Sequence, residues 1–231
     1  MTFRKTLDGL PNEPVLSLDE LRQPLPADTE EARQIQADRW ARAVTDAGIA
    51  KRFASTTFDA YRAPTPKQAH VLEACRAYAD EFEARRETGA GMILCGGVGT
   101  GKTMLASAIG LTVLRAGYSV ALVSVLGLLR QIRDTYRRDS GATENAIIQR
   151  FASVDLLVLD EVGVQRGTDD ELIQIFEILN ARYNDVRPTL LLSNLTLTEL
   201  RRYIGERVID RMREDGGKLL IFDWDSARGR S

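Results

Sequence analysis

The stretch Gly96-Gly97-Val98-Gly99-Thr100-Gly101-Lys102-Thr103 decides the fold. It satisfies G-x-x-x-x-G-K-[ST], a pattern expected by chance only ~0.003 times in a sequence with these residue frequencies. Before it, Gly91–Cys95 reads as an apolar strand; after it, Lys102–Ala116 reads as a helix. In that setting small residues let backbone N–H groups close around phosphates, and the helix N-terminus adds its positive end. Lys102 supplies a point charge for β- and γ-phosphates, and the Thr103 hydroxyl is a hard oxygen ligand for Mg²⁺. The expected nucleotide contact runs through Gly96, Gly97, Val98, Gly99, Thr100, Gly101, Lys102 and Thr103 to Met104. A glycine turn that merely packs is the alternative, and the strand–turn–helix context weighs against it.

Downstream, Leu156-Leu157-Val158-Leu159-Asp160-Glu161 is the matching second element. Its four apolar residues build a central strand, whose C-terminal end faces the ligand crevice of an open α/β sheet. Asp160 is expected to hold Mg²⁺, and Glu161 to orient and deprotonate the attacking water. A third strand, Thr189–Ser193, ends in Asn194, whose amide suits contact with both the γ-phosphate and that water. Ser-Asn is also an ordinary turn opener. Arg207 and Arg211 lie four apart on a helix beyond it. Spacing alone is satisfied equally by an arginine finger offered to a neighbouring subunit and by a surface ion-pair ladder.

The remaining elements follow the same alternation. Helices are expected over Lys67–Arg86, Leu128–Arg138, Thr143–Ala152, Asp169–Tyr183, Thr198–Tyr203 and Gly205–Arg213, with further strands at Ser119–Val125 and Lys218–Asp223. Buried apolar strands alternating with helices mean an α/β protein with a parallel sheet covered on both faces. Residues 1–52 form an arm ahead of a domain over 53–231. Its first 28 residues hold five prolines or glycines and no sustained period. Asp28 and Glu31 then make a capping-box signal. Ala37, Trp40, Val44 and Ala47 form an apolar stripe that Gly48 stops, and this stripe must bury against the main domain or another protein.

Composition bounds the function. The chain has 231 residues, 44% hydrophobic and 28% charged, with a net charge of −2. That excludes wholesale disorder and a globally basic nucleic-acid binder, although a local basic groove stays open. Cys75 and Cys95 are the only cysteines, so no disulfide framework or Cys-rich zinc module exists, and a reducing compartment is expected. His70 is the only histidine, which removes His-based metal sites and Ser-His-Asp chemistry. The N-terminus lacks an apolar signal core, and the uncharged runs Thr103–Leu114 and Ala116–Leu129 fall short of the roughly 18 residues that span a bilayer. A cytoplasmic protein without a membrane partner is expected.

Together these residues resemble the AAA+ ATPases and, more narrowly, the DnaC/IstB branch of replicative helicase loaders and transposition helpers. The resemblance runs from Phe58-Asp59-Ala60-Tyr61-Arg62 to the C-terminus. Its most specific parts are the segments Val154–Gln165 and Gly205–Arg213; the tail Ile221–Arg228 is also similar to the loaders' ending, and its Trp224-Asp225-Ser226 favours them over the transposition helpers. It implies a P-loop NTPase of the AAA+ type with a five-stranded parallel sheet and no separate C-terminal helical lid. It also implies a homo-oligomeric spiral with ATP between neighbours. Arg211 then matches the arginine finger acting in trans, and Arg228 the second sensor arginine. Arg207 aligns with an interface arginine of open role. Met104 stands where many relatives carry His. In the loaders the N-terminal region grips a DnaB-type hexameric helicase, and the ATPase region grips single-stranded DNA.

For that DNA, Arg130, Arg133 and Arg137 fall on one expected helical face, with Arg138 beside them, and Tyr136 is placed to stack on a base. The same spacing equally describes a solvated face with Leu129 and Ile132 in the core. Three functions fit: an ATP-dependent helicase loader, a transposition helper acting on target DNA, and an ATP-gated adaptor in which hydrolysis is incidental.

Overall fold

The computed structural model describes residues 30–137, 141–164 and 169–227. Five strands form one parallel sheet: β1 (Met92–Gly96), β2 (Val120–Ser124), β3 (Leu156–Asp160), β4 (Thr189–Ser193) and β5 (Lys218–Phe222). Their spatial order is β2-β3-β4-β1-β5. Because the strand period is two, each apolar run feeds two cores. Met92 and Leu94 enter one, together with Leu156, Val158, Leu190 and Leu192. Ile93, Cys95, Leu157, Leu159 and Leu191 enter the other.

Helices fill both faces. On the first lie α1 (Glu30–Asp46), α2 (Pro66–Asp80), α3 (Phe82–Thr88) and α4 (Lys102–Arg115). The second is covered by α5 (Val125–Asp134), α6 (Glu144–Ser153), α7 (Asp169–Asn184), α8 (Leu197–Ile204) and α9 (Glu206–Arg211). No helix follows β5 among the described residues, and no described helix is long and apolar enough to cross a membrane.

Two expected helices end earlier than periodicity implies. The run over Lys67–Arg86 breaks at Glu81 (φ −98°, ψ 20°), separating α2 from α3. The break turns Phe82 into the core, with its ring 5.1 Å from that of Tyr118. Expected to reach Arg138, α5 stops at Asp134. There the Tyr136 amide donates to Arg133 O (3.1 Å), a tight three-residue closure, and the Thr135 hydroxyl takes Ile132 O (2.7 Å). Arg137 therefore does not share a helical face with Arg130 and Arg133, and Arg138 lies outside the described residues.

Most of the apolar stripe settles onto the main core, while Ala37 stays exposed. Val44, Ala47 and Ile49 are buried in the same cluster as Phe58 and Tyr61, and Trp40 packs against it. Gly48, at φ +73°, lets the chain turn where a Cβ would meet Leu122 O at 2.3 Å. The Leu122 amide donates to Ala47 O (2.7 Å), so this segment covers part of the free edge of β2. Asp28 of the expected capping box lies outside the described residues.

One charge is sealed inside. Arg182 on α7 has no solvent exposure. Its guanidinium donates to Phe151 O, Ala152 O and Val154 O from Nη1, to Asp155 O and Pro188 O from Nη2, and to Thr189 Oγ1 from Nε. It thus ties the end of α6 to the starts of β3 and β4. Those two strands carry Asp160 and Asn194 at their other ends.

Candidate active site

Parallel strands bring their C-terminal ends to one edge of the sheet, and three of those ends carry the predicted chemistry. The glycine loop leaves β1 and enters α4, a helix of 14 residues. Gly96, Gly99 and Gly101 sit at φ +127°, +76° and +98°, where a side chain is strained. At Gly96 a Cβ would also press on Phe222 O at 2.3 Å. Gly101 is the N-cap of α4 and offers no side-chain cap, as suits a helix start that receives a phosphate. Lys102 is buried, and its ammonium donates to Gly96 O (2.8 Å) and Gly97 O (2.7 Å) of its own loop. Those are contacts that phosphate oxygens can take over. A polyphosphate therefore fits the cradle.

The Thr103 hydroxyl donates to Asp160 Oδ2 at 2.9 Å, which unites the two motifs 57 residues apart. Asp160 Oδ1 accepts from the Glu161 amide (2.7 Å). Among the described residues no group of three His, Cys, Asp or Glu converges on one point. Thr103 Oγ1 and the Asp160 carboxylate are the hard oxygens that would hold a divalent cation beside bound phosphates, with no protein cage needed. Glu161 follows directly at φ +60°, a left-handed conformation that costs an L-residue roughly 1–2 kcal/mol. Strain of this kind is retained at functional positions, and it leaves the Glu161 side chain exposed at the strand end.

Since β4 lies between β1 and β3, Asn194 emerges between the glycine loop and Asp160. The preceding Ser193 hydroxyl donates to Val162 O (2.6 Å) and accepts from the Leu195 amide (3.1 Å), which joins this turn to the one after Asp160. Met104, on the first turn of α4, is half-buried and packs against the first core.

Arg211 stands elsewhere. It shares a small cleft with Gly89, Tyr183 and Thr189, at the edge where the strands begin. The five-residue β4 separates that edge from the glycine loop by about 13 Å. Its guanidinium lies 4.3 Å over the Tyr183 ring and donates to Asn180 Oδ1. Among the described residues neither Arg207 nor Arg211 joins an ion pair, so the ladder that spacing left open as the alternative to a finger is not seen there. Arg228 lies outside the described residues.

On the proposed DNA face, Arg130 and Arg133 are exposed on α5, and Tyr136 is 61% exposed just beyond it. The Tyr136 hydroxyl donates to Glu144 Oε2 (3.1 Å) and accepts from Gln174 Nε2 (3.0 Å). Arg137 reaches Asp134 only at 4.0 Å. Both cysteines are buried, which pushes the Cys75 thiol up to about 12 and the Cys95 thiol up to about 11, so neither is a nucleophile at neutral pH.

This geometry agrees with what the chain is similar to. The model of the family described as IstB-like ATP binding protein matches residues 37–214. The chain belongs to the IstB/DnaC family of ATP-binding proteins. It is 36% identical over 198 residues to the replicative helicase loader DnaC of Escherichia coli K12, covering 86% of this chain and 79% of that protein. With the Buchnera aphidicola (Acyrthosiphon pisum) loader it shares 38% identity over 196 residues, covering 85% and 78%. A crystal structure of the DnaC helicase loader superposes with a TM-score of 0.66 at 23% identity, covering 75% of this chain and all of that one. The replication initiator DnaA, bound to AMPPCP and single-stranded DNA, superposes at 0.63 with 23% identity, covering 77% and 51%. The IstB/DnaC chain thus has the AAA+ P-loop fold that its sequence resembles.

Two residues of this IstB/DnaC site escaped motif reading. The Tyr61 hydroxyl and Trp224 Nε1 both donate to Thr100 O, at 3.1 and 3.3 Å. Both residues lie within stretches that carry the family resemblance, but nothing in their spacing points to the glycine loop.

Proposed function

We propose that this chain is an ATP-dependent loader of a DnaB-type hexameric replicative helicase. The observation that carries the reading is the 36% identity to the replicative helicase loader, sustained across 86% of the chain. The ending Phe222-Asp223-Trp224-Asp225-Ser226 supports the loader branch, while the IstB-like family description keeps target-DNA remodelling for a transposase as the second reading.

In this reading each residue has a task. Lys102 exchanges its loop carbonyls for the β- and γ-phosphates of ATP. Thr103 and Asp160 hold Mg²⁺, which neutralises phosphate charge when bound. Glu161 accepts a proton from the attacking water as that water's oxygen bonds to the γ-phosphorus and the bond to ADP breaks. Asn194 orients the water, and Arg211 of a neighbouring copy stabilises the transferring charge. Arg228 acts as the second sensor. Residues 1–52 dock the helicase, and Arg130, Arg133, Tyr136 and Arg137 contact single-stranded DNA. Because Arg211 lies at the far edge of its own sheet, hydrolysis requires assembly and is slow in the isolated chain.

Light-scattering chromatography with the host's replicative helicase, with and without MgATP, tests this. A co-eluting complex that deletion of residues 1–50 abolishes is expected. No complex under any nucleotide, with the helicase confirmed hexameric, overturns the loader reading in favour of the transposition helper, for which cooperative binding of duplex DNA is then expected.

A further inference from the structure

The glycine loop is gripped from outside by segments that belong to none of its motifs. The Thr100 carbonyl accepts from both Tyr61 Oη and Trp224 Nε1, partners 39 and 124 residues away in sequence. The next carbonyl back, that of Gly99, accepts from the Ala227 amide (3.0 Å). At the end of β5, just before that tail, Phe222 O accepts from the Gly97 amide (2.8 Å). The grip is close: Tyr61 is 8% exposed, and a Cβ on Gly101 would meet its Cε2 at 2.5 Å. Trp224 is braced in turn by the Phe222 ring, 4.9 Å away.

A trans peptide is planar, with its C=O and the following N–H pointing to opposite sides. Holding the Thr100 carbonyl outward therefore aims the Gly101 N–H inward. Holding the Gly99 carbonyl aims the Thr100 N–H the same way. This control is needed because the Thr100–Gly101 peptide ends on a glycine at φ +98°, whose backbone is otherwise free to turn.

We infer that Tyr61, Trp224 and the Ala227 backbone are positioning residues for phosphate binding. They select the loop conformation in which the Thr100 and Gly101 amides face the nucleotide. Tyr61 follows the segment that joins α1 to the core, and Trp224 opens the C-terminal tail. Residues 61 and 224, from either side of the core sequence, therefore meet on one loop carbonyl. This inference concerns nucleotide binding only and stands whichever partner the chain serves.

Tyr61→Phe and Trp224→Phe each remove one donor and keep an aromatic ring. Calorimetric titration with ATP and with tripolyphosphate, which has no base or sugar, reads the cradle directly. Each single variant is expected to weaken both ligands about threefold, and the double variant about tenfold, as the competent loop conformation loses population. The Gly101 amide resonance in a ¹⁵N-labelled chain is expected to shift in the same variants without ligand. An effect on folding alone lowers the melting temperature but leaves that resonance and tripolyphosphate affinity in place. A double variant with both unchanged overturns the inference. Should the double variant fail to fold, Ala227→Pro removes only a tail amide: a moved Thr100 resonance and about threefold weaker tripolyphosphate binding support the inference, and no change in either overturns it.

Discussion

Replacing Arg182 by Met should cost this chain a large part of its stability, although residue 182 touches no part of the nucleotide site. The guanidinium is fully buried and satisfies six oxygen acceptors. Phe151 O and Ala152 O belong to the last turn of α6, where carbonyls lack an intrahelical partner. Burial pulls the Arg182 pKa down to about 9, and the Arg187 charge adds to the pull, so at neutral pH the group is charged. A positive charge at a helix C-terminus is itself favourable. Methionine keeps the length but donates nothing. Each buried carbonyl left without a partner costs about 1–3 kcal/mol, and the charge removed with the donors no longer bears a desolvation penalty. The net loss is about 4 kcal/mol, in the range found when buried charged networks are broken, against a total of about 5–15 kcal/mol for a domain. At about 2–4 °C per kcal/mol for a chain of this size, the melting temperature falls by about 8–16 °C. Urea and thermal unfolding followed by circular dichroism measure this directly. Arg182→Lys should recover less than half, because an ammonium has three donors and no planar fork. A loss below about 1 kcal/mol in Arg182→Met would refute the claim that these six bonds pin the starts of β3 and β4.

Three further outcomes are expected. Burial works to raise the Asp155 carboxyl, but bonds from the Ser119 hydroxyl and amide and from Arg86 outweigh it and hold the group below its ordinary 3.8. Its stabilisation is present above that value and lost as pH falls below it, so Asp155→Asn should flatten the acid limb of urea midpoints taken from about pH 5 to 2. Glu161→Gln should bind ATP normally and hydrolyse it at least about 100-fold more slowly; Glu161→Gly should be equally inactive with an undiminished urea midpoint, since φ +60° suits glycine. Arg211→Ala and Lys102→Ala should each abolish ATP turnover alone and partly restore it when mixed, because one contributes an intact loop and the other an intact finger; no recovery on mixing, with both chains assembling, would rule out action in trans.

Much of the nucleotide site was legible because its signals are local. The glycine loop and its Lys102-Thr103 end occupy eight consecutive residues, and the apolar runs at β1, β3 and β4 mark the strands that carry it. Asp160 and Asn194 were legible as strand-end polar residues because a parallel sheet collects such ends on one edge. Helix ends were less legible. The expected helices ran through Glu81 and past Asp134, and a local pattern cannot register that Phe82 must turn toward Tyr118 or that Thr135 will take the Ile132 carbonyl.

The amino-acid sequence by itself determined the P-loop, its acidic partner strand and the α/β alternation, since each is written in neighbouring residues whose backbone preferences and apolar periods act over a few turns. Only the tertiary structure decided which distant groups meet. The order β2-β3-β4-β1-β5 sets Asn194 between the loop and Asp160, and sends Arg211 to the opposite edge. It brings Tyr61 and Trp224 to one carbonyl, and it seals Arg182 among six acceptors. These contacts span up to 124 residues, and no local propensity specifies them. They arise when two cores close on either side of one sheet and every buried donor must find an acceptor.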